Sequence, residues 1–357
     1  MDNTQLVAIN NRQLNAQKLS QDLYLIRGLA IVFVVIGHVI GDRYSGIRKL
    51  YAEDIPNLGY AYNFIYTFHM PIFFIISGIS FAIFSQNKTS LLKFLKSKAT
   101  RLIIPLFCWA PIYFIFRFIS VGNIKFSLVR LLTSPFYADF IFWFFHTLFL
   151  ISIFCFLLIK KISSQWVYLI VSIFLFVGSF YLSGLISLVL YWNIFYAFGY
   201  VAATYIFQVR NKIENSSYFL SLVSIFLLIL MMLAVNYFLN QDHSLIARFI
   251  NGITGFSMMY IIAGTNWEII RSSLIVKVIK VLSYIFTYLG KISMTIYLFH
   301  VMSGSLTRMI LVKVGINHIF SHFSMGFAAA ILIPIGLYEI LKRNKFFLYS
   351  IGEFKGG

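Results

Sequence analysis

Ten runs of about 20 predominantly apolar residues recur along the chain, at about 23–41, 60–84, 102–120, 138–159, 166–186, 189–208, 218–239, 246–264, 284–305 and 319–341. A helix of 20 residues rises about 30 Å, the thickness of a bilayer's hydrocarbon core. Backbone in hydrocarbon must satisfy its own hydrogen bonds, which leaves helices and closed barrels. Barrel strands need only about 9–11 residues, so the runs predict an all-α, polytopic transmembrane helix bundle of about ten spans. Composition agrees: 11% of the residues are charged, against about 25% in a soluble domain.

The charge bias sets the expected orientation. Of 29 Lys and Arg, Arg27 and Arg117 lie in apolar sequence; with the N-terminus inside, 19 fall on inner segments and 8 on outer loops. That asymmetry places both termini in the cytoplasm. The net charge of +18 is then topology and contact with anionic membrane lipids. No soluble basic domain is expected, and no nucleic-acid partner. Residues 1–22 are polar, with Asp2, Asn3, Asn10 and Asn11; without the apolar core and cleavage site of a signal peptide, the first span is expected to be retained. The organisation read here is a polar cytoplasmic segment (1–22), a transmembrane domain (23–341) and a short basic tail (342–357).

Cys108 and Cys155 both fall in predicted spans and are expected as buried apolar thiols. Acidic residues are nearly missing from the spans, and no His, Cys and carboxylate spacing suits a metal. Neither a metal nor a bound cofactor is expected. Oligomeric state is not legible, since any apolar face can meet lipid or another helix.

What stands out is the few polar groups inside apolar sequence. An Arg at the centre of a membrane helix costs about 2.5–3.5 kcal/mol on insertion scales, so such residues usually face a bundle interior or a site. The first run holds Arg27 and, eleven positions on, His38. At about 100° and 1.5 Å per residue these share nearly one helix face, about 16 Å apart. His69 precedes Pro71 in Phe68-His69-Met70-Pro71, with Ser77-Gly78 beyond; a kink there frees a carbonyl, and a structural histidine fits equally well. Lys98 and Arg101 close a basic run before Pro105. They suit the phosphates of a nucleotide-type donor, or ordinary anchoring. Trp143 reads as a pocket or interface residue, and Tyr297 and His300 project from one side of the ninth run.

In order and spacing these fragments resemble the integral-membrane acyltransferase family 3, bacterial enzymes that O-acylate carbohydrates. The resemblance rests on Arg27-Gly28-Leu29-Ala30 through Gly37-His38, the family's Arg-x10-His pattern. It continues through Phe68-His69-Met70-Pro71 with Ser77-Gly78, Lys98/Arg101 before Pro105, Trp143-Phe144, and Leu289-Gly290-Lys291-Ile292-Ser293 with Tyr297 and His300. It spans roughly 20–341. Two positions depart from the pattern: the acidic residue usual just before the Arg is further back, at Asp22, and Lys98 stands where paired arginines are common.

The resemblance implies a stand-alone O-acetyltransferase of the bacterial inner (plasma) membrane. It would move an acyl group from acyl-CoA, most often acetyl-CoA, to a hydroxyl of a cell-surface or lipid-linked polysaccharide. On that reading His38 is the general base or a covalent acyl carrier. Arg27 binds the donor or stabilises its oxyanion, Lys98 and Arg101 hold CoA phosphates, and His69, Ser77, Trp143, Tyr297 and His300 are pocket candidates. Two other polytopic basic proteins compete: a non-enzymatic glycan flippase and a polymerase of lipid-linked units. The first usually needs more spans and a cationic cavity, the second a long outer loop.

Overall fold

The computed structural model describes residues 3–42, 45–51, 56–84, 90–121, 126–162, 164–239, 244–270 and 272–353. Asp2 and the basic residues Arg43, Lys88, Lys125, Arg271 and Lys355 lie outside them, as do the side chains of Asn3, Asn10, Asn11 and Arg12. The described residues form an all-helical bundle. In chain order the helices are α1 (Asn3–Ile40), α2 (Pro56–Phe84), α3 (Leu91–Lys98), α4 (Ile104–Val121) and α5 (Leu128–Thr133). Next come α6 (Trp143–Lys161), α7 (Gln165–Gly178), α8 (Gly184–Ala202), α9 (Ile206–Glu214) and α10 (Tyr218–Leu239). The last are α11 (Leu245–Gly264), α12 (Ser273–Lys291), α13 (Ser293–Lys313), α14 (Ile319–Leu341) and α15 (Lys345–Ser350). A π turn, Ala99–Ile103, joins α3 to α4.

Ten of these stretches are long and apolar enough to cross a membrane, with α3–α4 counted as one. Two expected spans change. The run at 166–186 is shorter: α7 stops at Gly178 and a 3₁₀ turn carries it to Tyr181. The run at 284–305 straddles a break at Ile292, where φ −97° and ψ 15° leave the helix. On its near side α12 is itself long and apolar enough to span. Lys277 and Lys280 hid its first half from a hydropathy reading. The thiols also divide: Cys155 is buried, whereas Cys108 is exposed. Its neighbours Phe107 and Ile112 on α4 are exposed too, and a small apolar thiol suits an outward face in hydrocarbon.

Hydrocarbon supplies no hydrophobic force between helices, so close packing of small residues holds such bundles together. Two crossings use it. A Cβ placed on Gly28 would lie 1.8 Å from the Phe286 carbonyl oxygen, and one on Gly290 would lie 1.7 Å from that of Tyr24. The backbones of α1 and α12 therefore touch. Likewise a Cβ on Gly78 would meet the Tyr196 carbonyl at 2.1 Å, and one on Gly199 that of Ile75 at 2.1 Å, seating α2 on α8. Three glycines of the sequence motifs are thus helix contacts.

The α1–α12 contact also sets a register. His38 lies ten residues beyond Gly28, and His300 ten beyond Gly290. With α13 packed along α1, equal advance from one contact brings the two imidazoles level.

Gly28→Ala should separate α1 from α12 at a cost of about 1–3 kcal/mol, typical of overpacking. Nothing lies within 4 Å of a Cβ on Gly336, so Gly336→Ala should stay within about 0.5 kcal/mol. Thermal unfolding midpoints of the two variants in one detergent check this; equal midpoints would remove the contact's importance.

Candidate active site

The levelled pair forms the centre of a cluster. The rings of His38 and His300 are 4.9 Å apart, edge to face. Tyr66 on α2 lies 6.1 Å from His38 and 4.7 Å from His69, and Tyr297 lies 5.9 Å from His300. Three runs far apart in sequence meet here. His300 Nδ1 faces the carbonyls of Ile296 (3.0 Å) and Tyr297 (2.8 Å). A carbonyl only accepts, so these bonds assign the hydrogen to Nδ1 and leave Nε2 of the neutral ring as a lone pair. That Nε2 is buried without a protein partner. His69 is fixed the same way, donating from Nδ1 to the Ile65 carbonyl at 2.7 Å. His38 makes ring contacts and no hydrogen bond among the described residues, with Asp42 within electrostatic reach, so both its nitrogens stay available.

Beside His38 and His300 is a space of about 10 Å³, also lined by His322 and Arg308. It is the size of one water. His322 donates from Nε2 to the Ile316 carbonyl at 2.8 Å, and its Nδ1 is a second buried lone pair without a partner. A larger cavity, about 520 Å³, opens on the other side of Tyr66. Its walls include Trp143, Tyr191, Trp192 and Arg248.

At the far end of the α1 face, Arg27 lies 5.8 Å from the Tyr24 ring, and Lys98 lies 5.6 Å from that of Phe94. Arg27, Lys98 and Arg101 are near enough to repel one another, and none has an ion pair among the described residues. The π turn changes their expected geometry. An i→i+5 turn is wider than an α turn, so Lys98 and Arg101 do not share a regular helix face; Lys98 is half-buried and Arg101 exposed. The Arg101 backbone is backed by Gly352, where a Cβ would lie 2.6 Å from its carbonyl oxygen.

Other candidates turn out to be bound into the scaffold. The Ser77 hydroxyl donates to the Phe73 carbonyl at 2.7 Å, a bond that bends helices, and it lines neither cavity. The Tyr297 hydroxyl donates to the Ile141 carbonyl at 2.7 Å, tying α13 to the approach to α6. Trp143 sits within a ring stack, 5.3 Å from Trp192, and lines the large cavity. Sequence reasoning missed Tyr66, Trp192, Arg248 and His322. Tyr66 stood one turn before His69, the one usable signal.

Residues 21–339 match the acyltransferase domain of acyltransferase family 3. The chain belongs to this family. No curated protein and no solved structure matches it. The acyltransferase domain thus covers nearly the whole chain, and its ten apolar helices make it a multi-pass membrane protein.

One family departure has a structural account in this acyltransferase. Asp22 receives a hydrogen bond from Arg210 Nε at 2.6 Å. Arg210 also pairs with Glu214, which meets Lys18 at 3.1 Å. The set-back carboxylate therefore anchors α9 to α1 beside the basic end. Burial pushes Glu214 up, but the Lys18 hydrogen bond and the charge of Arg210 outweigh it, so Glu214 titrates below its ordinary 4.5. A depressed carboxylate contributes stability that is present above its ordinary range and lost as pH falls through the folded value.

Thermal melts of wild type and Glu214→Gln should therefore differ at neutral pH and converge once the pH falls well below 4.5. Arg210→Ala strands the buried Asp22 carboxylate and should cost about 3–5 kcal/mol. Lys280→Ala breaks an exposed pair with Glu268 and should leave the melting midpoint nearly unchanged. Equal effects of these two would refute the anchoring role.

Proposed function

We propose that this acyltransferase moves an acyl group, most simply acetyl, from acyl-CoA to a hydroxyl of a cell-surface or lipid-linked polysaccharide, with His38 as general base. One observation carries the reading: His38 and His300 sit 4.9 Å apart, and about 16 Å back along α1 lies Arg27, within repelling reach of Lys98 and Arg101, none of the three ion-paired among the described residues.

Both ends suit the chemistry. The CoA nucleotide is polyanionic and is held by Arg27, Lys98 and Arg101, the first a permanent charge with a planar fork for phosphate oxygens. An extended pantetheine arm then carries the thioester along the α1 face toward His38. A sugar hydroxyl is a poor nucleophile at neutral pH. His38 takes its proton as the oxygen attacks the thioester carbonyl, and the tetrahedral oxyanion collapses to the ester. The C–S bond breaks, and the sulfur leaves as a thiolate that regains a proton. His300, locked by two carbonyls, keeps its unpartnered Nε2 lone pair beside the His38 ring, placed to accept a hydrogen bond when His38 takes up the proton.

The charge bias supports a basic end in the cytoplasm, where acyl-CoA is made, and the His38 end facing outward in the bacterial inner membrane. The protein then draws its donor from one side and modifies glycan at the other.

The test is CoA release from acetyl-CoA by protein in nanodiscs with host glycolipid extract. His38→Ala should lower glycan-dependent release about 10²–10⁴-fold, the usual worth of general base catalysis, with membrane insertion intact. Lys98→Ala and Arg101→Ala should raise KM for acetyl-CoA roughly tenfold, the worth of a charged hydrogen bond, while kcat holds. Near-normal turnover of His38→Ala would remove it from the mechanism. An unchanged KM in both cation variants would move the donor site elsewhere.

A further inference from the structure

The 520 Å³ cavity lies in the size range of small-molecule sites. It meets the histidine cluster at Tyr66, which lines the cavity and packs on both His38 and His69. A molecule held there lies next to the base.

The walls say what kind of molecule fits. Trp143, Tyr191 and Trp192 contribute broad rings, with Trp143 and Trp192 5.3 Å apart. Aromatic faces carry negative charge from the ring quadrupole, and the C–H bonds on a pyranose face present the complementary charge. Among the described residues the lining holds one cation, Arg248, and no Asp or Glu. Its guanidinium carbon lies 5.7 Å from the Tyr191 ring centroid and 5.8 Å from that of Trp192. No carboxylate pairs with Arg248 among the described residues. A cation among apolar and aromatic groups without a counter-charge is costly, and an anionic ligand removes that cost. Arginine's fork also matches the two oxygens of a carboxylate.

We propose that this cavity is the acceptor subsite and selects an acidic sugar, its ring against Trp143 and Trp192 and its carboxylate on Arg248. The proposal rests on the acyl-transfer reading for the use made of the bound sugar, but not for the binding.

Binding is therefore measured without donor. Protein in nanodiscs is titrated with methyl β-D-glucuronide and with methyl β-D-glucoside, which differ only at C6, and tryptophan fluorescence is followed. Wild type should bind the glucuronide about tenfold or more tightly than the glucoside, the worth of one charged hydrogen bond. Arg248→Gln should abolish the preference, and Arg248→Lys, which keeps charge without the fork, should retain part of it. Equal affinities in wild type, no saturable binding of either glycoside, or a preference that survives Arg248→Gln would each overturn the proposal. CoA release is read on the same samples. The preference without CoA release would count against acyl transfer and leave the acidic-sugar site standing; release with equal affinities would do the reverse.

Discussion

The backbone contact between Gly28 on α1 and Gly290 on α12 fixes more of this bundle than any side chain. Each glycine sits where a methyl group would overlap the partner helix's carbonyl, so neither helix can slide without separating. In hydrocarbon that matters doubly, because apolar side chains are as well solvated by lipid as by each other. Dispersion between close backbones, unlike oily burial, depends on register. The register is then transmitted ten residues along α1 and across the Ile292 break to place His38 opposite His300.

Around that axis the polar groups divide by what surrounds them. Carboxylates are used to lock cations that brace the scaffold, as Asp22 does for Arg210. Among the described residues the cations at Arg27, Lys98 and Arg101 lack such partners and repel one another, which leaves their field free for an anion. The same distinction separates the exposed Lys280–Glu268 pair from Arg248 among its aromatic rings. Two histidines divide similarly: His300 and His322 each spend one ring nitrogen on a backbone carbonyl and keep the other buried without a partner beside the small cavity.

Much of the fold was legible because hydrocarbon imposes a length. The runs around α2, α10, α11 and α14 fell close to their helices for that reason. The reading lost accuracy where charge and apolarity mix. Lysines on α12 masked a helix long enough to span, and a single non-helical residue, Ile292, divided what hydropathy joined. Arg27 and His38 were found through the cost of polarity in lipid, which is a local property. Arg248 was one of the eight cations counted on outer loops, because it sits within the first turn of α11, where a hydropathy window cannot separate loop from helix. Tyr66 had only its place one turn before His69, and Trp192 no signal at all, in a chain that is 19% aromatic; only their meeting in space distinguishes them. The hydroxyls of Ser77 and Tyr297 misled in the opposite sense, being polar but already bonded to backbone.

The π turn at Ala99–Ile103 gives the basic end a property of its own. Because i→i+5 closure holds one residue more than an α turn, the helix before it is out of phase with the helix after it by about 100°. α3 can therefore bury Phe94 against Phe81 and Phe156, at ring separations of 5.6 and 4.4 Å, while α4 keeps the facing its own packing demands. Deleting one residue from this turn would realign the two as a single rod and swing the basic run round the axis. The aim of Lys98 is thus a matter of counting residues, set by an insertion rather than by any bond that Lys98 makes.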